Sequence, residues 1–566
     1  MTCFVLHTHL PYVLHHGAWP HGSDWLCEAV AECYVPLIGM CDRLLNDGIR
    51  PGLTFDVSPI LCEQLAHPDF PELFLRYCKE HADLAAADAE QFRKQGAEAE
   101  RVAMAHEWQR WYVDRAEVFE EEYGRDIVGQ FRRLQDAGVI EIMTCGATHG
   151  YFPLLAEDAS IERQVEIAVH AHERHFGRRP RGIWLPECAY RPAYAWRTLL
   201  PVYAYSKPAQ RESIESVLER HGLQYFVTDE AALRSARPLG FINEFGHRTP
   251  LDQTYGAIRR RLDERSAMDV FRAGSETSPA TASVFTRHTD TALQVWSGTT
   301  GYPGDADYLD FHKKYTNSAL RYWRVTDNQA DMAYKQPYVP QWAENRAREH
   351  GRHYAGMIVD ALRQRRTQCD GHAMLTLPFD TELFGHWWFE GPIFLEEVLR
   401  SLHEAPDTAA VTLGECHDVV RPDCLVALPE SSWGRDGNHS VWMNDQTQWT
   451  WEREYRLEFQ VRSLMQKHPG HRWTLQMRRV ARTMMRELLL AQASDWQFLI
   501  STESARDYAE MRFHNHVEDA KRCCDIFERL AVTEFLSADD ANYLDELDAR
   551  DGIFEAEIDL YFAHHA

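Results

Sequence analysis

The sequence has no long hydrophobic run and no recognisable leader. Its 566 residues contain no stretch of about 18 consecutive apolar residues, so we expect no membrane-spanning helix and no membrane partner. The N-terminal segment MTCFVLHTHLPYV lacks a basic region followed by a sustained apolar core, so we expect no signal peptide.

Cysteine is present but is not arranged for cross-linking. The 13 cysteines are odd in number and scattered, none belongs to a CxxC pair, and Cys523 and Cys524 are simply adjacent. We therefore expect neither a disulfide framework nor a structural zinc site. This pattern fits a reducing environment and predicts a cytoplasmic protein.

Positive charge is scarce. The chain has 60 Lys and Arg residues against 86 Asp and Glu residues, which gives a formal net charge of −26. Proteins that bind nucleic acids concentrate Lys and Arg to displace counterions from phosphates, so the excess of acid argues against a nucleic-acid partner. The same acidity does not hinder binding of a neutral polymer.

Short apolar segments alternate with helical segments through the first three quarters of the chain. We predict helices at 160–175 and 340–363, and strands at 4–6, 53–57, 139–143, 182–185, 225–228, 293–296 and 373–377. This alternation predicts a parallel α/β barrel or a doubly wound sheet.

Several polar residues with catalytic potential follow these predicted strands. A parallel barrel builds its active site from the loops at the carboxyl ends of its strands, so the positions of these residues favour the barrel. They are His7, His9, His149, Glu187 and Asp380.

Two stretches interrupt the alternation. Residues 72–121 are charged and helical, and we interpret them as an excursion on the outer surface; residues 230–290 are interpreted as an inserted loop-rich domain. After residue 420 a Trp-rich loop leads into amphipathic helices around 452–467, 474–499 and 506–530. We predict an α/β domain at 1–420, interrupted at 230–290, and a helical C-terminal domain at 421–566.

Two carboxylates stand out by their surroundings. Glu187 in WLPECAYRP and Asp380 in LPFDTELFGHWWFEGP each lie between a predicted strand and an aromatic-rich loop. Glycoside chemistry needs one carboxylate to attack the anomeric carbon and another to exchange a proton with the departing oxygen. It also needs aromatic faces on which sugar rings can lie. A single acid is usually a surface residue, but this shared context favours a catalytic pair.

The histidines near the N-terminus allow two interpretations. His7 and His9 in HTHLPY alternate on a strand, and an HxH pair can be two metal ligands, with His149 and Asp380 as further ligands. As neutral hydrogen-bond partners, they could instead hold sugar hydroxyls or the attacking carboxylate. We favour the second interpretation because a metal would leave Glu187 and the tryptophans without a role. We therefore predict no metal and no other cofactor.

Tryptophan is abundant and clustered. The chain has 17, including the pair Trp387–Trp388 and four in the segment SSWGRDGNHSVWMNDQTQWTWE, at Trp433, Trp442, Trp449 and Trp451. Four tryptophans in a segment rich in Gly, Asn and Asp are difficult to bury together. We interpret them as a stacking surface for a polysaccharide.

These segments resemble the five conserved motifs of glycoside hydrolase family 57. The motifs are HTHLPY, TCGATHGYFPLL with His149, WLPECAYRP with Glu187, LPFDTELFGHWWFEGP with Asp380, and AQASDWQFLI with Asp495. The segments VWSGTTGYPGD and SSWGRDGNHSVW are similar to those of the 1,4-α-glucan branching enzymes within the family. The resemblance extends from residue 7 to residue 500.

The resemblance implies a fold and a mechanism. The fold is an incomplete (β/α)7 barrel with a small inserted domain and a helical C-terminal domain that closes the cleft. In the implied metal-independent, retaining reaction, Glu187 is the nucleophile and Asp380 the acid/base, with their carboxyl groups about 5–5.5 Å apart. The resemblance implies that Trp296, Trp433, Trp442 and Asp495 bind the substrate. From their own positions we add the expected substrate-binding residues His7, His9, His149, His386 and Trp387.

The implied function is cleavage of α-1,4 linkages and formation of α-1,6 branches in a glycogen-like glucan, by a monomer or homodimer. A hydrolytic α-amylase on the same scaffold is the nearest alternative, followed by a metal-dependent deacetylase or amidohydrolase and by a catalytically silent glycan-binding protein. One feature departs from the branching subgroup, whose site is covered by a loop tyrosine. No tyrosine lies between Tyr225 and Tyr255; Phe241 and Phe245 could cover the site, or Tyr255 could if the loop is rearranged, and ordinary packing is the alternative for each of them.

Overall fold

The computed structural model describes residues 1–243, 246–297, 300–327, 329, 331–368 and 372–565. Within these ranges there are thirteen strands: β1 (Thr2–Thr8), β2 (Leu53–Val57), β3 (Ile140–Met143), β4 (Gly182–Ile183), β5 (Tyr194–Trp196), β6 (Ala209–Arg211), β7 (Tyr225–Thr228), β8 (Arg237–Ile242), β9 (Arg248–Pro250), β10 (Phe271–Gly274), β11 (Thr281–Thr286), β12 (Leu375–Asp380) and β13 (Cys424–Ala427).

The same ranges contain twenty α-helices, besides short 3-10 and π-helical turns. They are α1 (Ser23–Ala29), α2 (Val35–Asn46), α3 (Pro59–Leu65), α4 (Phe70–Gln95), α5 (Ala99–Glu117), α6 (Ile127–Asp136), α7 (Asp158–Phe176), α8 (Ile214–Arg220), α9 (Glu230–Arg234), α10 (Gly256–Glu264), α11 (Thr289–Trp296), α12 (Pro340–Arg366), α13 (Gly391–Glu404), α14 (Leu413–Val420), α15 (Gln448–Lys467), α16 (Leu475–Ala491), α17 (Asp495–Ser501), α18 (Arg506–Thr533), α19 (Ala538–Asp551) and α20 (Glu555–His565).

A four-stranded parallel sheet has β1 near its centre, in the order β12-β1-β2-β3. All seven residues of β1, TCFVLHT, are buried, as expected for a strand covered on both faces. The register places His7 beside Asp380 of β12 and beside Asp56 of β2. Three polar side chains from separate parts of the chain therefore meet at the carboxyl edge of this sheet.

A second sheet continues from both sides of the first. Its strand order is β4-β7-β11-β10-β13-β8-β9, and its first three strands run parallel to one another. Isolated parallel bridges pair Thr144 with Ile183 and Arg287 with Thr376. They connect the end of β3 to β4 and the end of β11 to β12.

One predicted strand is wrong. Residues 293–296 belong to helix α11, where Ala292 and Val295 are buried and Leu293 is 53% exposed, which is a helical spacing of apolar residues. The strand that pairs with β7 is β11, which has the sequence TASVFT and lies inside the stretch 230–290. That stretch also contains β8, β9 and β10, so it is more regular than the loop-rich segment that we expected.

The C-terminal helices share a core with the α/β part of the chain. Leu488 of α16 and Phe513 of α18 lie in one buried apolar cluster with Tyr12, Ala147 and Ile167. Helix α16 begins after Thr474, whose hydroxyl accepts a hydrogen bond from the Met477 amide at 3.2 Å. Among the described residues no helix is both long and apolar enough to cross a bilayer.

The single helix predicted at 474–499 is broken between α16 and α17. The Ser494 amide donates to the His149 carbonyl at 2.9 Å, and Ala493 forms an antiparallel bridge with Gly150. These bonds to another segment replace the helical bonds and turn residues 492–494 toward the α/β part.

A buried ionic contact also joins the two parts. The fully buried Asp551, at the end of α19, has one oxygen 2.6 Å from His16 Nε2 and accepts from Arg550 Nε at 2.7 Å on the other. Arg550 also donates to Asp519 at 2.7 Å, so Asp551 is not its only partner, and a hydrogen bond to a charged group typically contributes about 1.5–3 kcal/mol.

We expect Asp551→Asn to lower the free energy of unfolding by about 1–3 kcal/mol, because the buried oxygens that His16 and Arg550 contact lose their charge, while Arg550 keeps its bond to Asp519. Thermal and urea unfolding of the full chain would measure the change. The control is Asp539→Asn at an exposed position near the start of the same helix, for which we expect a change within about 0.5 kcal/mol. Equal stability of the two variants would contradict the prediction.

Candidate active site

One cavity of about 990 Å³ lies at the carboxyl edge of the parallel strands. It is lined by all the residues that the sequence singled out for the site: His7, His9, His149, Glu187, Trp296, Asp380, His386, Trp387, Trp433, Trp442 and Asp495. The α/β part and the C-terminal helices both contribute to its wall. Residues that are far apart in the chain therefore line one cavity, and the site depends on the complete fold.

Glu187 lies in a strained turn directly after β4. Its φ is 61° and that of Cys188 is 48°, so two successive non-glycine residues have left-handed backbone. Such conformations cost on the order of 1–3 kcal/mol each and persist where surrounding contacts enforce them. Here the Glu187 carbonyl accepts from the Trp433 amide at 3.0 Å, and Tyr190 and Ser431 exchange backbone hydrogen bonds. The turn directs the carboxylate into the cavity.

Both oxygens of the Glu187 carboxylate accept hydrogen bonds. Trp433 Nε1 donates to Oε2 at 2.9 Å, and Ser494 Oγ donates to Oε1 at 2.9 Å. Burial raises the pKa of Glu187 to about 7, while these two donors favour the ionised form and the charge of Asp495 opposes it. The carboxylate is held in one orientation with its ionisation balanced near neutral pH.

Asp380 is the last residue of β12, beside His7 in the register. Burial is the main cause that raises its pKa to about 7, and the negative charge of Glu187 acts in the same direction, against the lowering effect of His9 and Arg287. Two buried carboxylates that repel each other ionise in sequence, so near neutral pH one is charged while the other holds a proton. This is the division of states that a nucleophile and an acid require.

Three histidine rings form a layer beside the carboxylates. His9 stacks on His149 with ring centroids 3.9 Å apart, and His7 stacks on Trp184 at 4.7 Å. Burial is the main cause that lowers the pKa of His7 and His149 well below the ordinary value, so both rings are neutral. This agrees with the interpretation of these two histidines as neutral hydrogen-bond partners.

The same layer contains a group of side chains with the spacing of a possible metal site. Ligand atoms of His9, His149 and Asp495 all lie within 4.8 Å of one another. Protein hydrogen bonds already use these atoms: His9 Nε2 is 3.1 Å from Asp495 Oδ2, and His149 Nδ1 is 2.8 Å from Ser494 Oγ. A metal ion would have to displace these contacts.

The aromatic wall differs from the predicted stacking surface. Trp296 and Trp387 face each other with centroids 5.9 Å apart, and Trp387 is 37% exposed. In the Trp-rich loop only Trp433 and Trp442 line the cavity, and Trp442 is 1% exposed and stacked on Tyr151.

The other two tryptophans of that loop do not serve the expected surface. Trp451 is fully buried and its indole N–H donates to the Trp442 carbonyl at 2.7 Å, while Trp449 packs edge-on against Phe513. The prediction of a four-tryptophan stacking surface is therefore wrong. These two side chains instead anchor the start of α15.

The buried ion pair of Glu32 and Arg321 fixes the orientation of His386. Its Nδ1 is 2.8 Å from Glu32 Oε2, and Arg321 donates to Glu32 Oε1 at 2.5 Å and to the His386 carbonyl at 2.9 Å. Gly385 has a φ of 128°, and a Cβ there would collide with the Glu32 carbonyl. A glycine is needed for this close approach.

The helices at 72–121 do not lie only on the outer surface; one face of α4 and α5 forms part of the cavity wall. Tyr77 and His81 of α4 and Trp108 and Tyr112 of α5 line the cavity. Three of these four side chains, Tyr77, Trp108 and Tyr112, are buried. The interpretation as an outer surface element is therefore wrong for this face of the two helices.

Sequence reasoning missed three polar residues at the site. Ser494 precedes Asp495 in the fifth motif, and its hydroxyl was not considered. Asp56 is an acidic residue in the otherwise apolar strand LTFDV, which is itself a signal, since charged residues are rarely buried without a reason. Arg287 follows β11, lines the cavity and pairs with Asp229.

Two of the three residues proposed to replace the loop tyrosine, Phe241 and Tyr255, do not line the cavity. Within the described part of the chain, Phe241 lies in strand β8 and Tyr255 is 78% exposed, and neither lines the cavity. Phe245 lies outside the described residues.

A buried carboxylate pair beside aromatic walls is the arrangement that enzymes cleaving glycosidic bonds require. Comparison with known proteins agrees: residues 3–429 match the model of glycosyl hydrolase family 57. Residues 455–562 match the model described as 1,4-alpha-glucan branching enzyme, C-terminal. The chain belongs to glycosyl hydrolase family 57, and the resemblance inferred from the motifs is confirmed.

Similar proteins span nearly the whole chain. A 1,4-alpha-glucan branching enzyme of Thermococcus kodakarensis is 36% identical over 559 residues, covering 97% of this chain and 77% of the relative. The crystal structure of a branching enzyme of this family from Pyrococcus horikoshii has a TM-score of 0.86 at 34% identity, covering 98% of this chain and 95% of that one. The α-amylase AmyC from Thermotoga maritima has a TM-score of 0.77 at 26% identity, covering 98% of each chain.

We expect a bell-shaped dependence of kcat/KM on pH with its maximum close to pH 7, because the pKa values of Glu187 and Asp380 are both about 7. With Glu187 as the expected nucleophile and Asp380 as the expected acid, the rate falls below the maximum as Glu187 gains a proton, and above it as Asp380 loses the proton that the leaving oxygen needs. Initial rates of glycosidic cleavage at a series of pH values would measure both limbs. A rate that stays constant through neutral pH would contradict this assignment.

Proposed function

We propose that the chain is a 1,4-α-glucan branching enzyme, which cleaves α-1,4 linkages and forms α-1,6 branches in a glycogen-like glucan. The observation that carries this proposal is the C-terminal match to branching enzymes, because the C-terminal part that contains the matched segment supplies Ser494 and Asp495 to the site beside Glu187. The similarity at 36% identity over most of the chain supports the same function.

The proposed reaction retains the configuration of the anomeric carbon. Glu187 attacks C1 of the donor glucan while Asp380 gives its proton to the departing glycosidic oxygen. The 6-hydroxyl of an acceptor chain then attacks the glucosyl ester as Asp380 takes its proton. The buried pair with pKa values near neutrality supports these separate roles.

The remaining cavity residues are proposed to bind the glucan without metal or another cofactor. Trp296 and Trp387 offer ring faces to sugars, and Asp495 and His9 offer hydrogen-bonding groups at the cavity wall. Trp433, in contrast, contacts Glu187 through its indole N–H, so we assign it to the nucleophile. His386 completes this proposed set. His7, His149 and Trp442 also line the cavity, but both ring nitrogens of the two histidines already contact protein groups and Trp442 is 1% exposed, so we propose that these three support the glucan-binding residues from behind.

For the fold we propose an incomplete (β/α)7 barrel. The support is the succession of seven parallel strands β12, β1, β2, β3, β4, β7 and β11, which two isolated bridges join into a ring. The division into a catalytic part at 1–420, an insertion at 230–290 and a helical domain at 421–566 remains part of the proposal. A cytoplasmic location is proposed because the twelve cysteines of the described residues are buried free thiols.

An α-amylase is the second candidate, because AmyC has the same fold at 26% identity. Incubation with amylose separates the two. We expect new α-1,6 branch points, measured by proton NMR and by debranching, with little release of reducing ends. Abundant short maltooligosaccharides without branch points would favour the amylase.

The matched controls for this assay are Glu187→Gln and Asp380→Asn, which keep the shape of each side chain. We expect each to lower the rate by about 10³-fold or more, because each removes a group that acts on the reacting bond. Full activity of Glu187→Gln would contradict the proposed mechanism.

We expect exhaustive chelation to leave the activity unchanged, because Glu187 and Asp380 supply the required chemistry and protein hydrogen bonds already use the atoms of the His9, His149 and Asp495 group. Activity before and after chelation, with metal content measured in parallel, tests this. Activity that is lost and then restored by a divalent cation would favour a metal-dependent deacetylase or amidohydrolase.

A further inference from the structure

A continuous chain of hydrogen bonds leads from a buried strand to the nucleophile. Asp56 Oδ2 is 2.5 Å from His7 Nδ1, and His7 Nε2 is 3.2 Å from His149 Nε2. His149 Nδ1 is 2.8 Å from Ser494 Oγ, which is 2.9 Å from Glu187 Oε1. Of these residues, only Glu187 acts on the substrate in the proposed mechanism.

The direction of each bond follows from the number of protons available. An ionised Glu187 only accepts, so Ser494 gives it its single proton and must accept from His149 Nδ1. A neutral His149 then has a bare Nε2, which accepts from His7 Nε2. His7 in turn has a bare Nδ1, so the proton in its contact with Asp56 belongs to the Asp56 carboxyl group.

The surroundings of Asp56 agree with a neutral acid. The side chain is fully buried, and its other oxygen, Oδ1, has no hydrogen-bond partner among the described residues. Burial raises the pKa of Asp56 well above the ordinary value. An ionised carboxylate with one bare oxygen would be costly here, whereas a protonated one needs only the bond to His7.

We propose that Asp56, in its protonated form, is a positioning residue that acts on Glu187 through His7, His149 and Ser494. This inference rests on the proposed role of Glu187 as nucleophile. Asp56 fixes the tautomers of the two histidines so that every donor in the chain points toward Glu187. The chain is uncharged and stabilises the carboxylate both before attack and when the glucosyl ester breaks.

An ionised Asp56 would reverse the chain. It would accept from His7 Nδ1–H, and the bare His7 Nε2 would then require a proton on His149 Nε2. Ser494 would donate to His149 instead of Glu187, and the nucleophile would lose that donor. The two arrangements therefore predict different consequences for removing the Ser494 hydroxyl.

The test compares Ser494→Ala, Asp56→Leu and Asp56→Asn in the full-length enzyme, with kcat, KM and the pH dependence of kcat/KM measured on a maltooligosaccharide. We expect Ser494→Ala to lower kcat about 10- to 100-fold with little change in KM, as expected for one lost hydrogen bond to a charged group. Its acid limb moves to higher pH, because a carboxylate with fewer donors is protonated more easily.

Asp56→Leu cannot donate to His7, so we expect the same direction of shift. The amide of Asp56→Asn can donate, so we expect its loss of kcat to be about tenfold smaller than that of Asp56→Leu. The control is Thr54→Val, a buried position two residues earlier on β2, whose hydroxyl donates to Glu141 away from the site. We expect it to leave the acid limb in place.

Titratable groups that act on the charge of Glu187 are unchanged in these variants; among the described residues they include Asp380, Asp495, His149, Cys145, Tyr151 and Cys188. An acid limb that does not move in Ser494→Ala, or an Asp56→Asn variant as impaired as Asp56→Leu, would overturn the proposal. Thermal unfolding shows whether Asp56→Leu folds. If it does not fold, the position of the acid limb in Ser494→Ala still tests the proposal. Failure of the proposed function would appear separately, as activity in Glu187→Gln.

Discussion

The position of β1 between β12 and β2 is the constraint on which the site depends. Its register sets His7 between Asp380 and Asp56, so one histidine is adjacent to both the acid/base candidate and the buried acid of the hydrogen-bond chain. A shift of one residue would turn His7 to the other face and separate these groups. The apolar residues of β1, buried on both faces, hold that register.

Burial is the physical basis of the different tasks that we propose for the two carboxylates. In water both would be ionised at neutral pH, and their repulsion would be weak. Inside the cavity the same repulsion keeps one proton on the pair, while the donors Trp433 and Ser494 favour the charge on Glu187. The neutral histidines beside them add hydrogen bonds without adding charge.

Local patterns in the sequence predicted much of this site and less of its surroundings. Glu187, Asp380 and the histidines follow buried strands, so their convergence could be inferred from the sequence. The break before Ser494 could not, because the helical pattern continues through it and a distant carbonyl, that of His149, captures the amide. Trp451 was misinterpreted for a similar reason: its burial depends on tertiary contacts that composition does not reveal.

The break between α16 and α17 ties the enzyme's chemistry to the part of the fold that is most distant in sequence. A fragment that ended after β13 would keep both carboxylates and most of the aromatic wall, yet it would lack Ser494 and Asp495. Opening of the C-terminal helices alone would likewise disassemble the site while the parallel strands stayed folded. Catalytic competence is therefore a property of the joined parts, and neither part carries it alone.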